Sequence, residues 1–343
     1  MRVLTTFINK LFRLSKLWAV GLATVIAALI GGVALLVYYT GGTQYPWPHL
    51  VYLPILLAGF SFGIKGGLIS GLLAGLLLGP FMPLDVQAGV PQHTLPWLFR
   101  LGVLVVIGSS AGFLFEVLEK TINRLVKLQA STLKALSAAV ALRNEETQSH
   151  SERVAYNAQL VGKAYGLDQG ELDALYWAGI LHDLGKISTP DSILLKQGKL
   201  TEQEYAVIKE HPKVGADLLS SISWDFEPIV EGVLTHHERW DGGGYPRGLR
   251  GEEIPVFGRI LAVVDVFEAL TSKRPYREPF SGEVALEYLV KNRGSQFDPK
   301  MVEIFVELFK SGKITVYGQP PEMVIAPPGI LRFKPVERIL ARK

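Results

Sequence analysis

The sequence predicts an all-α protein in two parts: four apolar helices of membrane-spanning length, then a linker helix leading into a histidine-rich helical domain. Three observations carry this. Uncharged apolar runs crowd the stretch before about residue 115. Helical periodicity fills most of the remaining chain. Five of the seven histidines (150, 182, 211, 236 and 237) fall within one part of the second half. A chain of 343 residues has room for two or three domains. Its hydrophobic content of 48% is concentrated in the first third. The net charge of +3 comes with no long basic run, which argues against a nucleic-acid polymer as partner. The absence of cysteine excludes disulfides, thiolate catalysis and cysteine-bound zinc.

Residues 1–16 are basic, with Arg2, Lys10, Arg13 and Lys16 and no acidic residue. The uncharged run Leu17–Tyr39 then matches the roughly 20 residues that a bilayer core requires. A cleaved signal peptide is disfavoured, because the run is too long and no small-residue cleavage site follows it. Further apolar stretches cover about 48–64, 67–82 and 95–118. The first two read as a helical hairpin turning at Gly63–Gly67, and recurrent glycine (59, 63, 66, 67, 71, 75, 79) permits close packing in lipid. Trp18, Tyr38, Tyr39, Tyr45, Trp47, Tyr52 and Trp97 cluster near the predicted ends, as interfacial belts do.

Charge orients these spans. The N-terminus is basic, the hairpin turn carries Lys65, and Lys120, Arg124 and Lys127 follow the last span, whereas 40–47 and 83–94 lack lysine and arginine. Four spans with both termini cytoplasmic satisfy the positive-inside bias. Arg100 is an exception that either snorkels to the interface or lines a pocket. His49 and His93, on the outer side, are isolated histidines, which are seldom ligands.

From Phe115 to about Glu145 neither proline nor glycine interrupts the chain, and Leu118, Ile122, Leu125, Leu133, Leu136 and Val140 recur at helical spacing. One long amphipathic helix is expected. It serves either as a linker covering the next domain or as a dimerising signalling helix, although its rhythm slips between Leu125 and Leu133. Beyond it, helices are predicted at 171–184, 201–219, 226–237, 259–271, 282–292 and 299–310. Thr201 and Glu204 form a capping-box pattern, and Asp298 precedes a first-turn proline.

The chemistry lies in how the ligand-type residues are placed. Glu146 and His150 are four apart and share a helix face. His182 and Asp183 adjoin at the end of an apolar helix, where a carboxylate can bridge two cations. His236 and His237 form a second adjacent pair, with His211 and Asp265 at or within separate helices. Histidine and carboxylate without cysteine suit hydrolytic iron, manganese or zinc.

These residues resemble a known family. The runs His182-Asp183-Leu184-Gly185-Lys186 and His236-His237-Glu238-Arg239-Trp240-Asp241-Gly242-Gly243-Gly244-Tyr245-Pro246 resemble the HD-GYP domain, a branch of the HD phosphohydrolases that degrades cyclic di-GMP. The likeness covers roughly 133–308 and extends through His150-Ser151-Glu152-Arg153-Val154, His211-Pro212 and Arg274-Pro275-Tyr276-Arg277. The organisation expected is a membrane or sensory region at 1–118, a connector at 119–131, an HD-type domain at 132–314 and a proline-rich tail at 315–343.

The resemblance implies metal ligands at His150, His182, Asp183, His211, His236, His237 and Asp265, with Asp183 bridging. Glu146 matches a glutamate that helps some members hold a third metal, so two or three divalent ions, iron or manganese, are implied. A hydroxide bridging two cations is a strong nucleophile near neutral pH, and the metals neutralise charge at phosphorus. Lys186 would contact a phosphate oxygen, Arg274 and Arg277 the substrate's phosphates or guanines, and Tyr245 the ligand from a flexible lid. Glu238 and Asp241 read as supporting groups rather than ligands.

The expected function is a multi-pass phosphodiesterase of the bacterial inner membrane, acting in signal transduction. It would convert cyclic di-GMP to pGpG, GMP or both, with its catalytic domain cytoplasmic. The rivals are a cyclic di-GMP receptor with negligible turnover and a hydrolase of another cyclic dinucleotide. A GGDEF-type synthase is a partner suggested by family analogy.

Overall fold

The structure, a computed structural model, describes residues 16–143, 148–222, 227–272 and 278–316. It is all-α, as the sequence predicts, with no strand among the described residues. The chain divides into two compact units, Met1–Leu125 and Val126–Lys343.

The first unit holds α1 (Lys16–Tyr39), a 3-10 turn (Trp47–Val51), α2 (Tyr52–Leu77) and the first part of α3 (Thr94–Arg143). Trp18–Tyr39, Trp47–Leu77 and Thr94–Arg143 are long and apolar enough to cross a membrane. The two stretches expected as a hairpin at 48–64 and 67–82 lie in α2 as two helices that meet at Gly63, whose backbone (φ 66°, ψ −153°) lies where L side chains rarely sit, and both Gly59 and Gly67 face Gly108. Away from water, the N–H groups freed by such a break must find acceptors. Glu116 on α3 supplies one, its Oε1 accepting from the Ile64 N–H at 3.0 Å. Beyond the break α2 lies directly on α3: a Cβ on Gly67 would stand 1.9 Å from the Gly108 carbonyl oxygen.

Arg100, expected to snorkel to the interface or to line a pocket, reaches towards the end of α2 and Gln92. It donates to the Leu78 carbonyl at 2.7 Å and to Gln92 Oε1 at 2.5 Å, while Gln92 donates to the carbonyls of Leu78, Gly79 and Met82. These carbonyls belong to the cap residue Leu78 and to the turn that follows α2. His49 stacks on Tyr52, and His93 is exposed.

In the second unit come α4 (Gln148–Tyr165), α5 (Gln169–Leu181), a 3-10 turn (Leu184–Ser188), α6 (Asp191–Leu194), α7 (Glu202–Lys209), α8 (His211–Ile222), α9 (Glu227–Thr235), α10 (Val256–Thr271), α11 (Gly282–Lys291) and α12 (Pro299–Lys310). Every residue of α5 from Leu172 to Leu181 is buried, so this helix is the centre around which α4, α9 and α10 pack. Capping boxes open α5 (Asp168 with Glu171) and α7 (Thr201 with Glu204), and Asp298 caps α12 by accepting from the Lys300 N–H at 2.8 Å.

Two helices expected to be continuous are not. The segment 201–219 breaks between α7 and α8, where Pro212 removes an N–H and its ring restricts His211. The segment 171–184 ends at Leu181 and tightens into the 3-10 turn, whose Gly185 lies against the His211 backbone. The slip in the connector's rhythm also has a physical basis. From Val126 onward α3 presents two faces: Ala130, Leu133, Ser137, Val140 and Ala141 are buried, whereas Leu128, Leu136 and Leu142 are exposed. Ser137 ties the buried face to the centre by donating to the Ile180 carbonyl at 2.6 Å.

Candidate metal centre

The end of α5, the start of α8 and the end of α9 converge, and their histidines arrive with the ring nitrogens already assigned. His182 Nδ1 faces the Gly179 carbonyl at 2.8 Å, His211 Nδ1 that of Ile208 at 2.7 Å, and His236 Nδ1 that of Val233 at 2.6 Å. With Nδ1 turned to a carbonyl, each ring points Nε2 inward: a neutral ring offers a lone pair there, whereas His182, facing the Asp183 carboxylate, holds a proton until a metal displaces it. His211 Nε2 and His236 Nε2 then face each other at 3.3 Å. His182 Nε2 is buried and, among the described residues, makes no well-aligned hydrogen bond, with an Asp183 oxygen standing 3.2 Å away. Lone pairs gathered in this way, away from water, are costly unless a cation takes them.

Two groups of donors meet the spacing a metal ion needs: His211, His236 and His237, and His150, His182 and Asp183. Asp183 stands between them. Its Oδ2 is 3.2 Å from His182 Nε2, and its Oδ1 is 3.4 Å from His211 Nε2. On α10, Asp265 Oδ1 lies 3.3 Å from His150 Nε2 and 3.6 Å from His182 Nε2. Nitrogen and carboxylate donors without sulfur suit a divalent first-row ion.

Electrostatics separates the two groups. Burial works against a charged His182, but the Asp183 and Asp265 carboxylates hold its pKa up to about 9. Burial alone would raise the pKa of Asp183, yet His182, Lys186 and His211 keep it well below the ordinary carboxylate range. Asp265 is likewise depressed against its burial, by the His150 hydrogen bond and by His182. In the other group, burial pushes His237 down to about 4, burial with the Lys186 charge lowers His211, and burial with neighbouring histidine charge lowers His236.

Residues 134–301 match the HD domain family. This chain is 45% identical over 184 residues to "Cyclic di-GMP phosphodiesterase response regulator RpfG" of Xanthomonas campestris, covering 53% of this chain and 49% of that protein. It is 40% identical over 209 residues to "3'3'-cGAMP-specific phosphodiesterase 2" of Vibrio cholerae (60% and 39%). It is 41% identical over 202 residues to "Cyclic di-GMP phosphodiesterase" of Thermotoga maritima (58% and 50%). The chain thus spans half or less of the length of these relatives.

The region that matches the HD domain family brings together seven of the residues singled out in the sequence: His150, His182, Asp183, His211, His236, His237 and Asp265. Glu146, Arg274 and Arg277 lie outside the described residues. Lys186 lies past the end of α5. From the 3-10 turn its Nζ reaches Asp183 Oδ2 at 2.7 Å. Tyr245 lies over His237, ring centroids 4.9 Å apart. Its loop is pinned rather than free: Glu238, buried, accepts from the N–H groups of Arg247 (2.7 Å) and Leu249 (3.1 Å). Asp241 accepts from Arg239 and from the Gly243 N–H, so neither acid faces the donors.

Other supports become visible only in the fold. Glu268, one turn after Asp265, accepts from Arg153 Nε at 2.6 Å and from Asn157 Nδ2 at 2.8 Å, and Arg153 also donates to Ser272. This joins α10 to α4 one turn from the His150–Asp265 contact. Arg143, at the end of α3, donates to Asp191 Oδ1 at 2.6 Å and to the carbonyls of Lys186, Ile187 and Thr189. It therefore grips the segment that presents Lys186. Arg153 stands three residues after His150 in a run that the family resemblance already includes, and that is the signal that points to it.

Proposed function

We propose that this protein is a membrane-anchored, metal-dependent phosphodiesterase that hydrolyses cyclic di-GMP to pGpG, GMP or both. The observation that carries the reading is Asp183, whose two oxygens face two different histidine groups within 3.4 Å. That is the arrangement a carboxylate shared by two cations requires. Bound divalent cations, iron or manganese by the donor set, would neutralise charge on the phosphodiester and lower the pKa of attacking water. His211, His236 and His237 would hold one, and His150, His182 and Asp265 the other.

The chain's own groups prepare the site. Carbonyls fix the ring tautomers, Glu268 and Arg153 hold α4 against α10, and Lys186 stands beside Asp183, in reach of a phosphate oxygen. The activities named for the Xanthomonas and Thermotoga relatives support cyclic di-GMP as substrate. The Vibrio cholerae relative, 40% identical, favours a second reading in which 3'3'-cGAMP is taken. Membrane anchorage is supported by the three long apolar helices. A homodimer is supported by the exposed Leu128, Leu136 and Leu142 of α3.

The test is the full chain in detergent, loaded with manganese or anaerobically with iron, incubated with each dinucleotide. Loss of cyclic di-GMP with release of pGpG or GMP, abolished in His182→Ala with Asp183→Ala, is the expected result. Binding without turnover at full metal loading would make the protein a receptor. Faster loss of 3'3'-cGAMP than of cyclic di-GMP would establish the second reading.

A further inference from the structure

Beside the histidine groups lies a row of side chains that hold no proposed metal. Tyr205 and Lys209 are four apart on α7 and share a face. Lys209 Nζ stands 5.0 Å from the centroid of the Tyr205 ring and 6.0 Å from that of Tyr245. Tyr245 in turn lies 4.9 Å from His237, tilted by 31°. The order outward from the metal groups is therefore His237, Tyr245, Lys209, Tyr205. Lys209 lies within ion-pair distance of no carboxylate among the described residues, and Tyr205 is 48% exposed.

We propose that Tyr205, Lys209 and Tyr245 form a base-binding clamp, with the Lys209 ammonium reading the O6/N7 edge of a guanine. This rests on the phosphodiesterase reading and supplies the base specificity which that reading leaves open. In a cyclic dinucleotide bound by its phosphate at the metal groups, the bases project away from the phosphate. The side chains next outward here are two aromatic rings with a cation between them. Aromatic faces stack any base, so Tyr205 and Tyr245 would bind without discriminating. An ammonium between them discriminates: guanine offers two acceptors on that edge, whereas adenine places an amino donor beside N7. A phosphate is the less suitable occupant of this cation, since Lys186 and the metal groups already serve the phosphate end.

The clamp is tested with the manganese-loaded full chain in detergent, using bis(p-nitrophenyl) phosphate, a diester without a base, as reporter. Cyclic di-GMP and cyclic di-AMP are added as competitive inhibitors. Lys209→Met should raise the inhibition constant of cyclic di-GMP by about tenfold or more and leave that of cyclic di-AMP near its wild-type value. Tyr205→Ala should weaken both by about tenfold, because stacking is indifferent to the base. Bound manganese per chain and the thermal unfolding temperature should stay unchanged in both variants, which a residue that merely holds the fold would not permit. An unaltered ratio of the two inhibition constants in Lys209→Met, or manganese binding that falls in parallel, would overturn the clamp. If the wild type hydrolyses neither the reporter nor cyclic di-GMP, the phosphodiesterase reading fails. The same guanine-to-adenine comparison, made on dissociation constants by equilibrium dialysis, then decides the clamp on its own.

Discussion

Replacing Glu268 by Gln keeps the side chain's shape and removes its charge. In the native structure that carboxylate is 2% exposed and meets two donors, Arg153 Nε at 2.6 Å and Asn157 Nδ2 at 2.8 Å. A glutamine has one acceptor oxygen for these two donors and turns its own NH2 towards the other. The Arg153 guanidinium, whose side chain is 19% exposed, then has no counter-charge among the described residues. Breaking a buried pair from one side costs about 3–5 kcal/mol, and the water that reaches Arg153 places this case near the lower end, about 3 kcal/mol.

The same brace sits one turn from the His150–Asp265 contact on both helices, so the loss should reach the donors. Disturbing a group that orients a metal ligand costs about 10–100-fold in affinity. The assay pairs thermal unfolding of the full chain in detergent with a manganese titration read by bound metal per chain. Glu268→Gln should unfold at lower temperature and lose affinity at the His150, His182 and Asp183 group, while the His211, His236 and His237 group keeps its metal. An unfolding curve and a titration that both match wild type would refute the idea that this pair holds the site together.

Three further outcomes are expected. The raised pKa of His182, about 9 against an unfolded 6.5, stabilises the metal-free fold fully below about pH 6.5, and that contribution is lost as pH rises through about 9. Metal must displace the same proton, so manganese affinity at the His182 group should climb with pH up to about 9. At the other group, where His237 titrates near 4, affinity should be flat above about pH 6. Calorimetry in buffers of different ionisation enthalpy would count the protons released. Gly185→Ala would set a Cβ 1.9 Å from the His211 carbonyl oxygen, between the turn that carries Asp183 and the start of α8. A loss near the upper end of about 1–3 kcal/mol in denaturant unfolding should come with weaker metal binding at both groups. Arg143→Ala strips donors from the carbonyls of Ile187 and Thr189, costing about 1–3 kcal/mol. It should lower reporter kcat through Lys186, and Arg143→Lys should not restore it, because one ammonium cannot reproduce the planar fork.

The features legible in the sequence are local. The α12 boundaries come from Asp298, Pro299 and the apolar spacing behind them, and the α7 cap comes from Thr201 and Glu204. The all-α class rests on the same periodicities. The histidines can be gathered into one constellation because five of the seven fall between 150 and 237, interspersed with carboxylates, in a chain otherwise nearly free of histidine. The hidden features depend on contacts between distant segments. Nothing near Gly63 announces that Glu116 will take the freed Ile64 N–H. Nothing near Arg143 announces three carbonyls more than 40 residues away. Lys186 is misplaced when a helix is drawn on through Asp183, which hides the tightening that Gly185 permits against α8. Tyr205 and Lys209 are readable in principle, since their four-residue spacing ends two residues before His211.

The central claim is that one carboxylate, Asp183, serves two donor groups. Electron paramagnetic resonance on the manganese-loaded full chain addresses that directly, since cations that share a bridging carboxylate are magnetically coupled. An exchange-coupled spectrum is predicted for the wild type. In Asp183→Asn it should give way to the six-line signal of isolated manganese, together with loss of diester hydrolysis. Isolated-ion signals in the wild type at full loading, or a coupled spectrum that survives Asp183→Asn, would contradict the shared carboxylate.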